Sequence, residues 1–304
     1  MSGSGGKRPG DPSEEPVQKI FVGDVQGCGD EFEELVGRAK RSFDTDFELW
    51  CVGDLINRGP KNLLALRLMR ELVAAGRGQL VLGNHEIGLL RIWLGLAEFM
   101  PKHTHGEVLE ADAQEGWMDW LRHQRLAVTG EVGSSKFAMV HASVHPQWSL
   151  EDLEAKAHRV ETRLSSTDLD EVRALLSDHE PTADASLAED RDTLGRLTRC
   201  RSVDERFNWS NEPPEAPGRA WHEAWSEQRH DYGVVYGHWA MQGLHVAPGL
   251  RGLDTGCVHN GRGRDGYLTA WLPTADRSDS DAADVFDLPD DRFWQIPARA
   301  RYYD

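Results

Sequence analysis

K-I-F-V-G-D-V-Q-G (19–27), L-W-C-V-G-D-L-I-N-R-G (49–59) and Q-L-V-L-G-N-H-E (79–86) share one arrangement: a short apolar run closed by glycine and a polar side chain. The apolar runs read as strands at 19–22, 47–52 and 79–82. Helical periodicity fills the intervals at 30–41 and 63–75. In the second helix Leu63, Leu64, Leu66, Leu68 and Met69 make a broad apolar face, with Asn62 placed to cap its start and Gly76 and Gly78 to end it. This alternation is the signature of parallel βα units. Asp24, Asp54 and Asn84 follow one another at intervals of 30 residues, room for one crossover helix and one return strand.

Further strands are predicted at 136–140, 232–236, 250–253 and 267–272, and helices across 148–176. Two of these strands end in V-H-A (140–142) and G-H-W (237–239). In open α/β sheets the carboxyl ends of the strands form the crevice where ligands sit, so five such ends bring Asp24, Asp54, Asn84, His141 and His238 toward one point. Taken singly, a G-D or G-H step is most simply a surface turn; five in order point to a site. Carboxylate, amide oxygen and imidazole together suit octahedral Mn²⁺, Fe²⁺ or Mg²⁺ better than a thiolate centre. Glycine precedes Asp24, Asp54, Asn84 and His238, where it is expected to supply turn conformations that other residues resist.

The rest of the chain bounds the possibilities. Its 304 residues carry 34 Lys and Arg against 51 Asp and Glu, a net charge of −17 that argues against a nucleic-acid partner and against anionic membrane surfaces. A polyanionic substrate would need a local cluster of metal ions and arginines working against that field. The four cysteines form no C-x-x-C pair, no apolar run reaches membrane-spanning length, and residues 1–16 lack the apolar core of a secretory signal. A cytoplasmic protein is the expectation; oligomeric state is left open. Residues 1–16 are expected as a disordered arm, 17–273 as one α/β domain, and 274–304 as an acidic C-terminal tail. The proline-interrupted stretch 180–230 is expected to be an insertion or a cover over substrate.

The motif series G-D-V-Q-G, G-D-L-I-N-R-G, G-N-H-E, H-A-S and G-H-W resembles that of the calcineurin-like metallophosphoesterases, in particular their phosphoprotein-phosphatase branch. H-A-S-V-H-P-Q-W-S-L (141–150) and G-L-D-T-G-C-V (252–258) resemble, more narrowly, the bacterial symmetrical diadenosine tetraphosphate hydrolases. The resemblance implies a sandwich of two mixed β-sheets flanked by helices, with a dimetal site at the sheet edge. It implies two divalent ions, first of all Mn²⁺, with Mg²⁺, Co²⁺ or Fe²⁺ as alternatives. Asp24 and Gln26 would hold one ion, Asn84, His141 and His238 the other, and Asp54 would bridge them. His85 would be the proton donor. Arg58 would clamp phosphate oxygens with its planar fork, and Arg199 and Arg201, in L-T-R-C-R, would hold further phosphates. The activity implied is symmetric cleavage of dinucleoside polyphosphates to two ADP.

The pattern is departed from at four places. Gln26 stands where histidine is usual, favouring harder ions. Asn57 replaces the aspartate that pairs with the histidine in protein phosphatases, and lies beside the proposed substrate site. Ser143 replaces the glycine of H-A-G, and H-N-G-R-G-R-D-G (259–266) replaces a tighter W-G-G turn; both are expected at the mouth. Trp148 and Trp239 flank motif histidines, where either could stack on adenine or simply be a core or rim aromatic. His103, His105 and His123 read as surface histidines, and Cys28 and Cys257 as small packing residues. Two rivals remain at this stage: a broad-specificity or serine/threonine protein phosphatase, and a non-catalytic nucleotide-sensing protein with the same fold.

Overall fold

The computed structural model describes residues 17–177, 181–273, 285–286 and 292–302. The chain begins with β1 (Gln18–Val22), α1 (Gly29–Phe43), β2 (Phe47–Cys51), α2 (Asn62–Ala74) and β3 (Gly78–Leu80). α3 (Asn84–Trp93), α4 (Gly106–Glu115) and α5 (Trp117–Arg122) lead to β4 (Ala127–Val132) and β5 (Ser135–Val140). Then come α6 (Leu150–Leu164), α7 (Leu169–Leu176), α8 (Ala185–Arg199), β6 (Ser202–Val203), β7 (Trp209–Ser210), β8 (Arg219–Ala220) and α9 (Trp221–Ser226). The chain closes with β9 (Tyr232–Tyr236), β10 (His245–Ala247), β11 (Leu250–Gly252), β12 (Tyr267–Trp271) and β13 (Phe293–Pro297).

One five-stranded sheet runs β13-β12-β1-β2-β3 and a second β10-β11-β9-β5-β4. In each, three parallel strands carry antiparallel neighbours, so both sheets are mixed. The two-residue period of a strand divides its side chains between two cores. Ile20 and Val22 on β1, Leu49 and Cys51 on β2, and Ala138 and Val140 on β5 join the helix-covered core. The alternate residues Phe21, Trp50, Phe137 and Met139 fill the space between the sheets. Phe137 meets Phe21 edge-on at 5.0 Å and Trp50 at 5.4 Å, so β5 lies face to face with β1 and β2. Each such ring contributes about 1.5–3 kcal/mol by burial alone.

Register explains the convergence of the loops. Val22 pairs with Cys51, and Cys51 with Leu80, so β1, β2 and β3 end side by side. Met139 pairs with Val235, which brings His141 and His238 off their strands at neighbouring points.

α1 buries Phe32, Leu35, Val36 and Ala39 at helical spacing and carries Asp30 and Glu31 in its first turn, where negative charge suits the helix dipole. Asn62 does not cap α2. Lys61 holds that position without a side-chain bond. The Asn62 Oδ1 instead accepts Asn57 N–H at 2.6 Å, and its amide donates to Gly59 and Thr104 carbonyls. The buried face of α2 is Asn62, Ala65, Leu66, Met69 and Leu72; Leu63, Leu64 and Leu68 are only half-buried.

The proline-interrupted stretch is regular over much of its described part: residues 181–230 hold α8, α9 and the small sheet β7-β6-β8. α8 buries Asp190, Thr193, Arg196 and Thr198 beside Leu194 and Leu197, and these inward polar residues erase the apolar stripe that reveals a helix. Arg159 and Arg163 of α6 both bond the fully buried Asp190 carboxylate. The acidic tail expected at 274–304 is corrected at 293–297. Phe293–Pro297 form β13, paired to β12 from Tyr267↔Pro297 to Trp271↔Phe293, because the W-Q-I run supplies a strand that the acidic residues before it conceal. The expected arm at 1–16 and most of 274–291 lie outside the described residues.

Candidate metal centre and catalytic cavity

Three of the four glycines before the candidate ligands serve a different purpose from the one expected. Among the four, only Gly53 has a left-handed backbone, at φ +103°. At Gly83 a Cβ would stand 2.2 Å from Asp54 Oδ1, and at Gly237 2.0 Å from Asp24 Oδ1, so these two are glycine because a carboxylate packs against the backbone. The left-handed conformations fall instead on Gln26, Asp54, Asn57, Arg58 and His238. Such strain persists only where the surroundings enforce it.

Glu86, on the first turn of α3, supplies much of that enforcement. One of its carboxylate oxygens accepts Asp54 N–H and Gly83 N–H at 3.0 and 2.9 Å; the other accepts Leu55 and Ile56 N–H at 2.9 and 3.2 Å. Burial and the Asp54 charge push its carboxyl up to about 8. Each oxygen already receives two N–H donors, however, and a proton on either would face another proton, so Glu86 acts as a carboxylate.

Asp54, His141 and His238 bring their ligand atoms within 4.8 Å of one another, all buried. The Asn84 Oδ1 joins them, 3.1 Å from His141 Nε2 and 2.8 Å from His238 Nδ1. Each histidine is oriented through its second nitrogen: His141 Nδ1 lies 2.9 Å from the Val52 carbonyl, and His238 Nε2 3.1 Å from that of Arg199. A carbonyl only accepts, so those nitrogens carry the protons and His141 Nε2 and His238 Nδ1 present lone pairs to the centre. Burial lowers the pKa of both rings, and for His238 the nearby His141 and Arg201 add to it. Neutral imidazole is the form that binds a metal.

Asp54 presents its two oxygens to different neighbours. Oδ1 lies 3.5 Å from His141 Nε2, whereas Oδ2 lies 3.8 Å from His85 Nε2 and 3.4 Å from the Gln26 amide nitrogen. Burial opposes its charge, but the fields of His141 and His85 outweigh this and lower it to about 2. Asp24 sits behind His238, whose N–H reaches both its oxygens at 3.1 and 3.2 Å. Burial, then the charges of Asp254 and Asp54, raise the Asp24 pKa well above the carboxylate range. Asp254 is likewise pushed up, to about 6, mainly by burial. Its Oδ1 accepts Gly256 N–H, while its buried Oδ2 has no hydrogen-bond partner. Three buried carboxylates facing two lone-pair imidazoles and an amide oxygen form a donor set that lacks positive charge, and a divalent cation fits it.

A cavity of about 540 Å³ opens beside this group, lined by Gln26, Asp54, Asn84, His85, His238 and Asp254. Arg58, Arg201, Arg262 and Arg264 also line it, with Trp239, Met241 and His259 among them. Arg201 is anchored by the Asn211 backbone and side-chain oxygens at 2.7 and 2.8 Å. A second cavity of about 560 Å³, lined by Trp225, His230 and Tyr232, holds no member of the ligand group.

Not every expected residue reaches the cavity. Arg199 contributes its carbonyl to His238 and lays its guanidinium 5.4 Å over the Trp209 ring. Trp148 stacks on His145 and faces Lys156 and Arg196, the packing alternative considered for it. Asn57 is buried, its Oδ1 accepting Arg58 and Thr104 N–H at 2.9 and 3.2 Å, so it braces the Arg58 loop instead of facing substrate. The missing pairing aspartate is replaced by backbone, since His85 Nδ1 lies 3.0 Å from the Ile56 carbonyl. Ser143 is fully buried and donates to the Arg196 carbonyl, away from the mouth. His105 is not a surface residue either: it is 1% exposed and stacked with His103. Four residues were not singled out by sequence reasoning: Asp254, His259, Arg262 and Arg264. All four stand in or beside stretches already quoted, G-L-D-T-G-C-V and H-N-G-R-G-R-D-G.

The calcineurin-like phosphoesterase family matches residues 19–242. The symmetrical bis(5'-nucleosyl)-tetraphosphatase of Shewanella oneidensis is 38% identical over 266 residues, 83% of this chain and 93% of that one. Its namesake in Janthinobacterium sp. (strain Marseille) is 36% identical over 251 residues, 79% and 89% of the two chains. A crystal structure of a candidate diadenosine tetraphosphatase superposes with a TM-score of 0.55 at 21% identity, covering 93% of this chain and 94% of that one, which speaks for the fold. Among the described residues no helix is long and apolar enough to cross a membrane. From the succession of strand-end motifs, the paired mixed sheets and the match over most of its length, the chain belongs to the calcineurin-like phosphoesterase family.

Proposed function

We propose that this protein hydrolyses dinucleoside polyphosphates and cleaves diadenosine tetraphosphate symmetrically into two ADP. The observation that carries the reading is the cavity itself: four arginines and Trp239 beside a buried carboxylate–imidazole group. In a chain of net charge −17, that wall is a local attraction for linked phosphates. The names of its relatives point to the same substrate. Location in the cytoplasm fits the free, buried cysteines.

Two divalent ions, Mn²⁺ by preference, would be held by Asp24, Gln26 and Asp54 and by Asp54, Asn84, His141 and His238, and would supply Lewis acidity and water activated at neutral pH. The chain's own groups do the rest. Arg58 and Arg201 neutralise and orient phosphate oxygens. His85 keeps its Nδ1 proton on the Ile56 carbonyl, which leaves Nε2 to hold the proton delivered to the departing oxygen. Water gives one proton to solvent as its oxygen bonds to an inner phosphorus, the bridging P–O bond on the far side breaks, and that oxygen leaves as ADP with the proton from Nε2, which His85 then regains from solvent. Trp239 offers a stacking face to one adenine.

An assay offering equal amounts of diadenosine tetraphosphate, a phosphopeptide and an aryl phosphate with Mn²⁺ tests this. ADP as sole nucleotide product is expected, with activity lost on chelation and restored by metal. Faster turnover of the phosphopeptide, or release of AMP and ATP, overturns it.

A further inference from the structure

Arg262 and Arg264 belong to no ligand motif, yet they reach the wall of the catalytic cavity. They sit in the loop 259–266, between the 3₁₀ turn over Cys257–His259 and β12. The loop is built into place. Gly261 N–H bonds the Arg264 carbonyl at 3.0 Å, Arg262 N–H that of His259 at 3.2 Å, and Gly266 N–H the Asn260 side chain at 3.0 Å. The Arg264 guanidinium donates to the Ala240 carbonyl and lies 3.3 Å from Met241 sulfur, which ties the loop to the segment that follows His238. His259 senses the cluster: burial, then the charges of Arg264, Arg58 and Arg262, lower its pKa to about 4.

Charge matching indicates what such a wall receives. A phosphomonoester places one phosphoryl group at the ligand group, where Arg58 and the ions that group would hold oppose its charge. A phosphate chain extends beyond that point along a cavity that Arg201, Arg262 and Arg264 also line, and each added phosphate brings another negative charge and two more acceptor oxygens.

We propose that Arg262 and Arg264, together with Arg201, form a phosphate subsite that grips the diphosphate of the departing nucleoside and sets the preference for polyphosphate chains over phosphomonoesters. The proposal rests on the dinucleotide reading above.

The experiment compares wild type with Arg262→Gln and with Arg262→Gln/Arg264→Gln on diadenosine tetraphosphate and 4-nitrophenyl phosphate, at fixed ionic strength. Arg262→Gln leaves the Arg264 anchor to Ala240 in place, so it guards against simple collapse of the loop. For each arginine removed, kcat/KM on the tetraphosphate is expected to fall about tenfold more than on the aryl ester, chiefly through KM. Equal losses on the two substrates overturn the subsite. In a second arm, inorganic tripolyphosphate inhibits aryl phosphate hydrolysis with free Mn²⁺ held constant in excess. Its inhibition constant is expected to rise about tenfold in Arg262→Gln, and an unchanged constant overturns the subsite. Wild type that cleaves the aryl ester but not the tetraphosphate would refute the dinucleotide reading alone, because the tripolyphosphate arm still judges the arginines.

Discussion

Asp24, Asp54 and Asn84 leave three parallel strands of one sheet, whereas His141 and His238 leave two strands of the other, and the two sets are held differently. The first set is held by backbone. Glu86 gathers four N–H groups of the Asp54 and Gly83 loops, while Val25 and Gln26 N–H bond the Asp54 carbonyl at 3.1 and 2.7 Å. The second set is held by its own ring nitrogens, on the carbonyls of Val52 and Arg199. Val52 follows a strand of the opposite sheet and Arg199 ends α8. The carboxylate half is thus fixed by backbone N–H groups, most of them from the adjoining loops of its own sheet, and the histidine half depends on carbonyls of the opposite sheet and of α8.

The contrast can be broken most severely at the residue both halves share. Asp54→Asn is expected to lower turnover by about a thousandfold or more and to remove bound metal with it, read by assay alongside metal analysis. Retained metal with normal turnover would separate the halves. His85→Ala tests the chemistry without the scaffold: a loss of about 10²–10⁴ in kcat with metal content unchanged.

Glu86→Gln should loosen the carboxylate half. It turns an acceptor for four N–H groups into one that presents its own donors, and metal affinity is expected to fall about 10–100-fold, measured by metal titration. Asp190→Ala is the counterpart for the histidine half. Losing the buried partner of Arg159 and Arg163, both of which keep contact with solvent, should cost about 1–2 kcal/mol of stability in chemical denaturation. Turnover of the folded fraction should change least of all, by a few-fold, through the shift of Arg199 under His238. A larger effect on kcat than that of Glu86→Gln would reverse the comparison.

How much was legible in advance follows the same division. The strands at 19–22, 47–52 and 79–82 and the helices between them are local patterns, and they fold nearly where periodicity put them. α8 escaped notice because its inward face carries Asp190, Thr193 and Arg196, whose burial is tolerable only with partners that periodicity does not see. Asn57 and Trp148 were drawn toward substrate by nearness in sequence to Arg58 and His141, but Asn57 is buried under the Arg58 loop, half-buried Trp148 stacks on His145, and neither lines the cavity. Arg262 and Arg264 stood in a loop that sequence could mark only as longer than its counterpart. Arg264 is tied beside the cavity by a bond to Ala240, 24 residues away, which no local pattern announces.

Sequence alone determined which ligand types close which strands, and in what order, because a strand end and the residue after it are one stretch of backbone with a fixed period. Tertiary structure decided which nitrogen of each histidine is left to bind, which carboxylates lie close enough to raise one another's pKa, and which arginines share a wall. Those outcomes rest on contacts such as Asp24 with His238, 214 residues apart. Only the packing of two sheets and α8 brings such groups within hydrogen-bonding distance, where burial makes their charges count.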